Sequence, residues 1–175
     1  EIVQFHPAYG YEDFIEGIRP VSMAGENGTH VVDYPTRAGS FKRFCQQAAL
    51  TTEPCVFIID EINRGNIPRI FGELMYLLEY REKHVRLPYS GDSLSIPQNV
   101  YIIGTMNTAD RSIALVDFAL RRRFHFFHFK ADPELYARWH AANGLGIPWL
   151  TDLYRALCAA IKEEDYRIGP SHFMH

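Results

Sequence analysis

The chain has 175 residues, enough for one domain or for one domain and the start of another. Hydrophobic residues make up 47% of it, but no apolar run approaches the roughly 18 residues of a membrane span, so we expect no membrane contact. The net charge of -3 excludes a polybasic nucleic-acid tail, and any DNA contact requires a local patch or another domain. Cys45, Cys55 and Cys158 lack metal-ligand spacing and predict reduced thiols in a cytoplasmic protein.

Short, apolar, β-rich segments alternate with segments of helical spacing along the first 130 residues. The predicted strands are residues 2–5, 56–59, 99–103 and 124–129. The predicted helices are residues 41–50, 68–80 and 112–122. Because the strands are almost continuously apolar, they predict a parallel sheet covered by helices on both faces, which is an α/β fold.

Residues 84–97 interrupt this alternation. The run VRLPY, then SGD, then SLSIP predicts a β-hairpin with its turn at Ser90–Asp92. From residue 131 the pattern becomes helical, with helices at 133–142 and 149–163. We therefore predict an α/β core over residues 1–130 and the start of a small helical subdomain over 131–175.

Aromatic residues follow the first strand and also occur in the helical region. A pore lining that grips a partner is one interpretation of the first group, but packing of the loop after the strand is favoured. The first group is Phe5, Tyr9, Tyr11 and Phe14. Trp139 and Trp149 are predicted to lie in the core of the helical subdomain.

The first candidate site is FIIDE, residues 57–61. An apolar strand carries Asp60 and Glu61 to its carboxyl end, the edge at which open α/β sheets bind ligands. Asp60 is suited to hold Mg²⁺ through water, and Glu61 to polarise an attacking water as general base. The alternative is that Asp60 caps the helix that follows.

The second candidate is GTMNTADRS, residues 104–112, directly after the next buried strand. Asn107 both donates and accepts hydrogen bonds, as needed to orient a water beside a γ-phosphate. Asp110 and Arg111 fit either an ion pair within the loop or contacts across a subunit boundary. The alternative is a polar loop in which Asp110 or Ser112 caps the next helix.

The third candidate is DFALRRRF, residues 117–124, where three arginines end a helix. An arginine placed against a neighbour's γ-phosphate stabilises transition-state charge. Two alternatives remain open: basic residues suit a helix C-terminus through its dipole, and three arginines can bind nucleic-acid phosphate.

These three motifs in this order resemble the AAA+ nucleoside triphosphatases, and the surrounding sequence resembles the McrB-type branch. The matching stretches are VQFHPAYGYEDFIEGIRP, FIIDEINRGNIPRIFGELM, LPYSGDSLSIPQNVYIIGTMNTADRS, DFALRRRF and IGPSHF. They cover most of residues 2–129 and a short segment near the end. MNTADRS together with IDEINRGN is highly specific for this branch.

The resemblance implies a role for each motif. Asp60 and Glu61 are similar to the Walker B pair, with Mg²⁺ on Asp60, and Asn107 to the sensor that positions water. Arg122 and Arg123 are similar to arginines that complete the neighbouring subunit's site. The hairpin at Ser90–Asp92 resembles an insertion before the sensor strand. Three further residues are implied to bind nucleotide: Asp110, Ser171 and His172.

The resemblance also implies a function for the whole protein. It implies an NTPase motor, with GTP favoured over ATP, in a 5-methylcytosine-dependent restriction system. The partners implied are other copies of the chain in a ring, six subunits by expectation, a nuclease subunit of McrC type, and DNA bound through other domains or through the assembled ring. A ring that remodels or scaffolds proteins is the alternative, and a DNA-binding domain using Arg121–Arg123 is the least favoured.

The phosphate-binding loop of the family is missing from this sequence. No G-x-x-x-x-G-K-S/T occurs, and the glycine-rich residues 24–28 lack both its spacing and its lysine. The resemblance places this loop and its strand upstream of Glu1, with the strand between those of residues 99–103 and 124–129. We therefore expect the 175 residues by themselves to hydrolyse no nucleotide.

Overall fold

A computed structural model describes residues 1–24, 30–107, 118–144, 148–163 and 166–173. The chain divides into two compact units, residues 1–125 and 126–175, each described by itself below. In the described ranges, no helix is both long and apolar enough to cross a membrane.

The first unit contains most of the regular structure. Its strands are β1 (Ile2–Gln4), β2 (Glu16–Ile18), β3 (Val21–Ala24), β4 (His30–Asp33), β5 (Thr36–Ala38), β6 (Cys55–Asp60), β7 (Val85–Arg86), β8 (Ser93–Leu94) and β9 (Val100–Gly104). Its helices are α1 (Tyr11–Phe14), α2 (Ser40–Ala48), α3 (Ile67–Phe71), α4 (Leu74–Glu79) and α5 (Phe118–Arg121), and a 3₁₀ turn spans Ile62–Arg64.

The central sheet is parallel, as predicted, with the order β1-β6-β9. Phe57 and Ile59 of β6 are fully buried on one face, and the Phe57 ring lies against rings of α1 and α2. The other face is more open, since Tyr101 and Ile103 of β9 are about half exposed. Within the described residues, helices therefore cover one face of the sheet, whereas the sequence predicted cover on both.

The aromatic residues after β1 form the centre of this core. Phe5 and Phe14 are fully buried, their ring centroids lie 5.5 Å apart in an edge-to-face contact, and Phe14 stacks on Phe41 at 5.1 Å. Tyr9 stacks on Phe5 at 5.0 Å. Packing, rather than a pore lining, is thus confirmed as the role of Phe5, Tyr9 and Phe14.

The predicted helix over residues 68–80 is interrupted in the structure. Gly72 has φ +47°, a left-handed conformation that residues with a Cβ rarely adopt, and it separates α3 from α4. A Cβ at this position would also lie 2.9 Å from the Tyr11 ring. The helical periodicity continues across Gly72, so it did not reveal the break.

The predicted strand at residues 124–129 is wrong. Residues 125–130 have no regular structure, and Phe127 and Phe129 are 82% and 93% exposed. A strand requires a hydrogen-bonded neighbour, and none of the described strands pairs with this segment. Of the predicted helix at 112–122, only α5 lies within the described residues.

Two antiparallel ladders between β1 and α2 were not predicted. β2 pairs with β5, and β3 pairs with β4. Residues 25–29 lie outside the described residues. The shorter hairpin of β7 and β8 was predicted and is confirmed.

The second unit contains α6 (Pro133–Ala142) and α7 (Pro148–Ala160), followed by a 3₁₀ turn at Pro170–Phe173. The two predicted helices are confirmed, and Asp132 caps α6 by accepting a hydrogen bond from Glu134 N at 2.9 Å. The core consists of Tyr136, Tyr154 and Cys158. Trp149 is 66% exposed, so its predicted place in this core is wrong.

Candidate functional site

The candidate site lies at the carboxyl edge of the central sheet, where β6 and β9 end side by side. Ile59 is paired with Gly104, so Asp60 and Thr105 follow at adjacent positions beyond the ladder. Backbone hydrogen bonds continue past the strand ends, from Thr105 N to Ile59 O and from Ile62 N to Thr105 O, each 2.9 Å long. The two loops therefore hold each other in place at the edge where such sheets bind ligands.

Thr105 holds the acidic pair, and the sequence did not single it out. Its hydroxyl donates to Asp60 Oδ1 at 2.5 Å and accepts from Glu61 N at 3.3 Å. One side chain thus fixes the carboxylate of Asp60 and the backbone of Glu61. The only signal in the sequence was a hydroxyl residue next to the end of a buried strand.

Asp60 does not cap the following helix, so that alternative is wrong. The 3₁₀ turn at Ile62–Arg64 has Glu61 at its N-cap without a side-chain hydrogen bond, and α3 is capped by Asn66, which accepts from Arg69 N at 3.2 Å. The carboxylate of Asp60 is turned to Thr105 instead.

Glu61 is held in an unusual backbone conformation. Its φ of 53° and ψ of 46° lie in the left-handed region, which costs a residue with a Cβ about 1–2 kcal/mol. Its Oε2 lies 3.2 Å from Arg64 Nε, in an ion pair whose carboxylate side chain is 21% exposed. Arg64 was not singled out from the sequence, although it stands three residues beyond Glu61.

Asn107 lies in the loop after β9, at the same edge as Asp60. The Asn63 amide donates to Asn107 O at 3.3 Å, which ties the turn after Glu61 to this loop. Asn63 is, after Thr105 and Arg64, the third contributor that was not singled out from the sequence. The structure thus brings Asp60, Glu61 and Asn107 together, and their chemical roles stay predictions.

The arginines at the end of α5 differ in their surroundings. Arg123 donates to Glu79 Oε2 at 2.5 Å, and its side chain is only 14% exposed. Arg122 is exposed. The sequence predicted the same role for both, whereas the structure engages Arg123 within its own chain and leaves Arg122 at the surface.

The other predicted nucleotide contacts lie outside the described residues or in the second unit. Asp110 lies outside the described residues. Ser171 and His172 belong to the 3₁₀ turn of the second unit and are exposed. Their predicted roles stay predictions.

The residues present fit a magnesium ion of the kind that binds with a nucleotide. Oδ1 of Asp60 is held by Thr105, while no hydrogen bond to the other carboxylate oxygen is found among the described residues. In the same ranges, no three His, Cys, Asp or Glu side chains cluster as a metal cage. Mg²⁺ commonly binds through one or two carboxylates, several waters and the substrate phosphates, which suits a single available carboxylate.

A second group of charges, the Glu16–Lys42 cluster (Glu16, Lys42, Ser90 and Asp92), was not predicted. Glu16 is fully buried and accepts from Lys42 Nζ at 2.7 Å, Ser90 Oγ at 2.6 Å, Ser90 N at 2.9 Å and Tyr89 N at 3.0 Å. Lys42 also donates to Asp92 Oδ2 at 2.7 Å. The cluster fastens the turn of the β7–β8 hairpin to β2 and α2.

Hydrogen bonding in this cluster stabilises the charged forms. Burial raises the pKa of Glu16, but the hydrogen bonds from Lys42 and Ser90 together lower it by more than burial raises it. The net pKa of Glu16 is therefore below its ordinary 4.5. Burial lowers the pKa of Lys42, but its bonds to Asp92 and Glu16 raise it above its ordinary value. Both groups are therefore ionised at neutral pH and have no unused bonding capacity for a substrate.

The chain is also similar in sequence to one known protein family and to subunits of restriction enzymes. A family profile described as AAA domain (dynein-related subfamily) matches residues 1–124. The chain is 50% identical over 133 residues to the type IV methyl-directed restriction enzyme EcoKMcrB subunit of Escherichia coli (strain K12), covering 71% of this chain and 27% of that protein. It is 27% identical over 165 residues to the type II restriction enzyme BsuMI component YdiS of Bacillus subtilis (strain 168), covering 74% of this chain and 48% of that protein. The chain thus spans about a quarter of one relative and about half of the other.

Proposed function

Because the chain belongs to the AAA domain family, dynein-related subfamily, and is of the McrB type, we propose that it carries the nucleotide-hydrolysing site of a ring-forming motor. The substrate is a nucleoside triphosphate with Mg²⁺, and GTP is favoured over ATP. The observation that carries the proposal is the shared edge of β6 and β9, where Thr105 joins the Asp60 carboxylate to the loop that contains Asn107.

Each residue at this edge has a distinct task. Asp60 would hold Mg²⁺ through water, and the bound ion would neutralise charge on the phosphate oxygens. Glu61 would accept a proton from the attacking water, and Asn107 would orient that water. Arg64 would keep the Glu61 carboxylate turned towards its own loop until nucleotide is bound, since the two side chains are 3.2 Å apart.

Arg122 and Arg123 would complete the site of an adjacent subunit. The exposure of Arg122 favours it as the residue that reaches a neighbour's phosphate, whereas the contact of Arg123 with Glu79 favours a role in fixing the end of α5. The ring, six subunits by expectation, is therefore required for activity, because each site would take residues from two subunits.

The restriction enzymes among the relatives support the setting that we propose. The motor would act in a cytoplasmic, 5-methylcytosine-dependent restriction system, on DNA and with a nuclease subunit of McrC type. Asp110, Ser171 and His172 are proposed as further nucleotide contacts. The 175 residues contain no G-x-x-x-x-G-K-S/T sequence, so we expect hydrolysis only in a longer chain that supplies this loop.

The substitution Glu61→Gln in the full-length protein tests the proposed mechanism. We expect GTP hydrolysis to fall about 100-fold to 10,000-fold, the usual contribution of a general base, while nucleotide binding and ring assembly are retained. Glu82→Gln, at an exposed glutamate in the loop after α4, is the matched control and should leave hydrolysis unchanged. Hydrolysis near the wild-type rate in Glu61→Gln would show that another group activates the water.

A further inference from the structure

A groove on the first unit is lined by three arginines and shares no lining residue with the candidate site. It has a volume of about 360 Å³ between α1, the paired strands β2 and β5, and the start of α2. Its lining residues are Glu12, Asp13, Arg19, Arg37, Ala38, Gly39 and Arg43. The proposed hydrolysis uses none of these arginines, and Arg37 and Arg43 lie outside the stretches that carry the family resemblance.

The groove is lined by three arginines and two carboxylates, Glu12 and Asp13, so its side chains carry one net positive charge. The Asp13 carboxylate is occupied, because it pairs with Arg19 and accepts from Gly10 N at 3.1 Å. Arg43 uses one Nη to donate to Ala38 O at 2.8 Å. Within the described residues, the guanidinium of Arg37 makes no hydrogen bond or ion pair. Two exposed guanidinium groups therefore have free donors in a chain whose net charge is -3.

The backbone around the groove is fixed. Arg37 lies in β5, opposite Gly17 of β2, and Arg43 lies in the first turns of α2. Gly39 N donates to Ile15 O at 2.7 Å, and a Cβ on Gly39 would lie 2.3 Å from the Phe14 backbone, so the floor packs directly on α1. The arginines thus project from a rigid base, which lowers the entropy lost when they bind an anion.

We propose that this groove binds the backbone phosphates of a nucleic acid, through Arg37 and Arg43. The proposal rests on the proposed function, since it identifies where a motor that acts on nucleic acid contacts that nucleic acid. Guanidinium groups match phosphate oxygens with paired donors, and several in one groove suit a repeating anion.

The test is the double variant Arg37→Gln/Arg43→Gln in the full-length protein. Binding is measured by fluorescence anisotropy, with an unmethylated 30-base-pair DNA duplex and with a single strand of the same length, over a series of salt concentrations. The matched control is Lys83→Gln/Arg138→Gln, which removes two exposed positive charges elsewhere in the chain. A third probe, polyglutamate of similar length, distinguishes phosphate from carboxylate recognition.

We expect the groove variant to bind DNA at least about 10-fold more weakly at moderate salt. The slope of log K against log salt should become less steep by about 2, because each lost phosphate contact reduces its magnitude by about 0.9. The probe more affected, duplex or single strand, identifies the form of nucleic acid in the groove. GTP hydrolysis without DNA should be unchanged, and this separates the inference from the proposed function. Equal DNA binding by the groove and control variants would overturn the inference, as would an equal loss of polyglutamate binding.

Discussion

Two groups of carboxylates in the first unit have the same chemistry but different surroundings. Glu16 is fully buried, and four donors saturate its oxygens. Asp60 has one oxygen held by Thr105, and Glu61 is partly exposed and adopts a left-handed backbone. A saturated carboxylate stabilises the fold, whereas one with unused oxygens at a sheet edge is available to a ligand. The number of unused donors and acceptors therefore distinguishes the structural cluster from the candidate site.

The largest expected effect on stability comes from removing one partner of the buried pair. Lys42→Met leaves the Glu16 charge buried without its ammonium partner, and we expect the free energy of unfolding to fall by about 3 kcal/mol. Urea unfolding followed by circular dichroism measures the change. Asp92→Asn, at the exposed end of the same cluster, is the control and should cost much less.

A double variant shows whether the pair acts as a unit. Lys42→Met combined with Glu16→Gln should cost clearly less than the sum of the two single changes, because the second change removes the unpaired charge that the first creates. Additive losses would contradict the direct coupling of Glu16 and Lys42.

A smaller effect is expected at Thr105, where the loss falls on activity more than on stability. Thr105→Val removes the hydroxyl that donates to Asp60, and we expect about a 10-fold lower kcat and a requirement for more Mg²⁺, with a stability cost of about 1 kcal/mol. Thr105→Ser keeps the hydroxyl and should retain most of the activity. Steady-state GTP hydrolysis across a magnesium series makes the comparison. Full activity of the Thr105→Val variant would show that Thr105 does not contribute to the site.

The mildest expected effect is the response of the Glu16–Lys42 cluster to acid. Because the folded-state pKa of Glu16 is below its ordinary 4.5, its contribution to stability is present above about pH 4.5 and is lost as the pH falls through the folded value. Carbon NMR titration of the Glu16 carboxyl in the wild-type protein measures this pKa directly. A value at or above 4.5 would show that burial, not hydrogen bonding, dominates there.

Much of the central sheet was predictable because it depends on local pattern. The strands at β1, β6 and β9 and the hairpin of β7 and β8 followed from short apolar runs and a Ser-Gly-Asp turn. The prediction of a strand at residues 124–129 was wrong. Apolar content indicates that a segment can form a strand, but a hydrogen-bonded neighbour decides whether it does. The ladders of residues 16–38 were missed because those residues show no clear alternation of apolar and polar side chains.

The sequence by itself determined the family, the parallel sheet, and the positions of Asp60 and Asn107 at strand ends. These features depend on motif order and on periodicity within short segments. Only the tertiary structure decided which side chains hold them. Thr105, Asn63 and Arg64 became part of the site through contacts across neighbouring loops, and Glu16 and Lys42, 26 positions apart, became a pair through packing. Hydrogen-bond saturation is a property of three-dimensional neighbours, so no local pattern distinguishes a buried structural carboxylate from an available one.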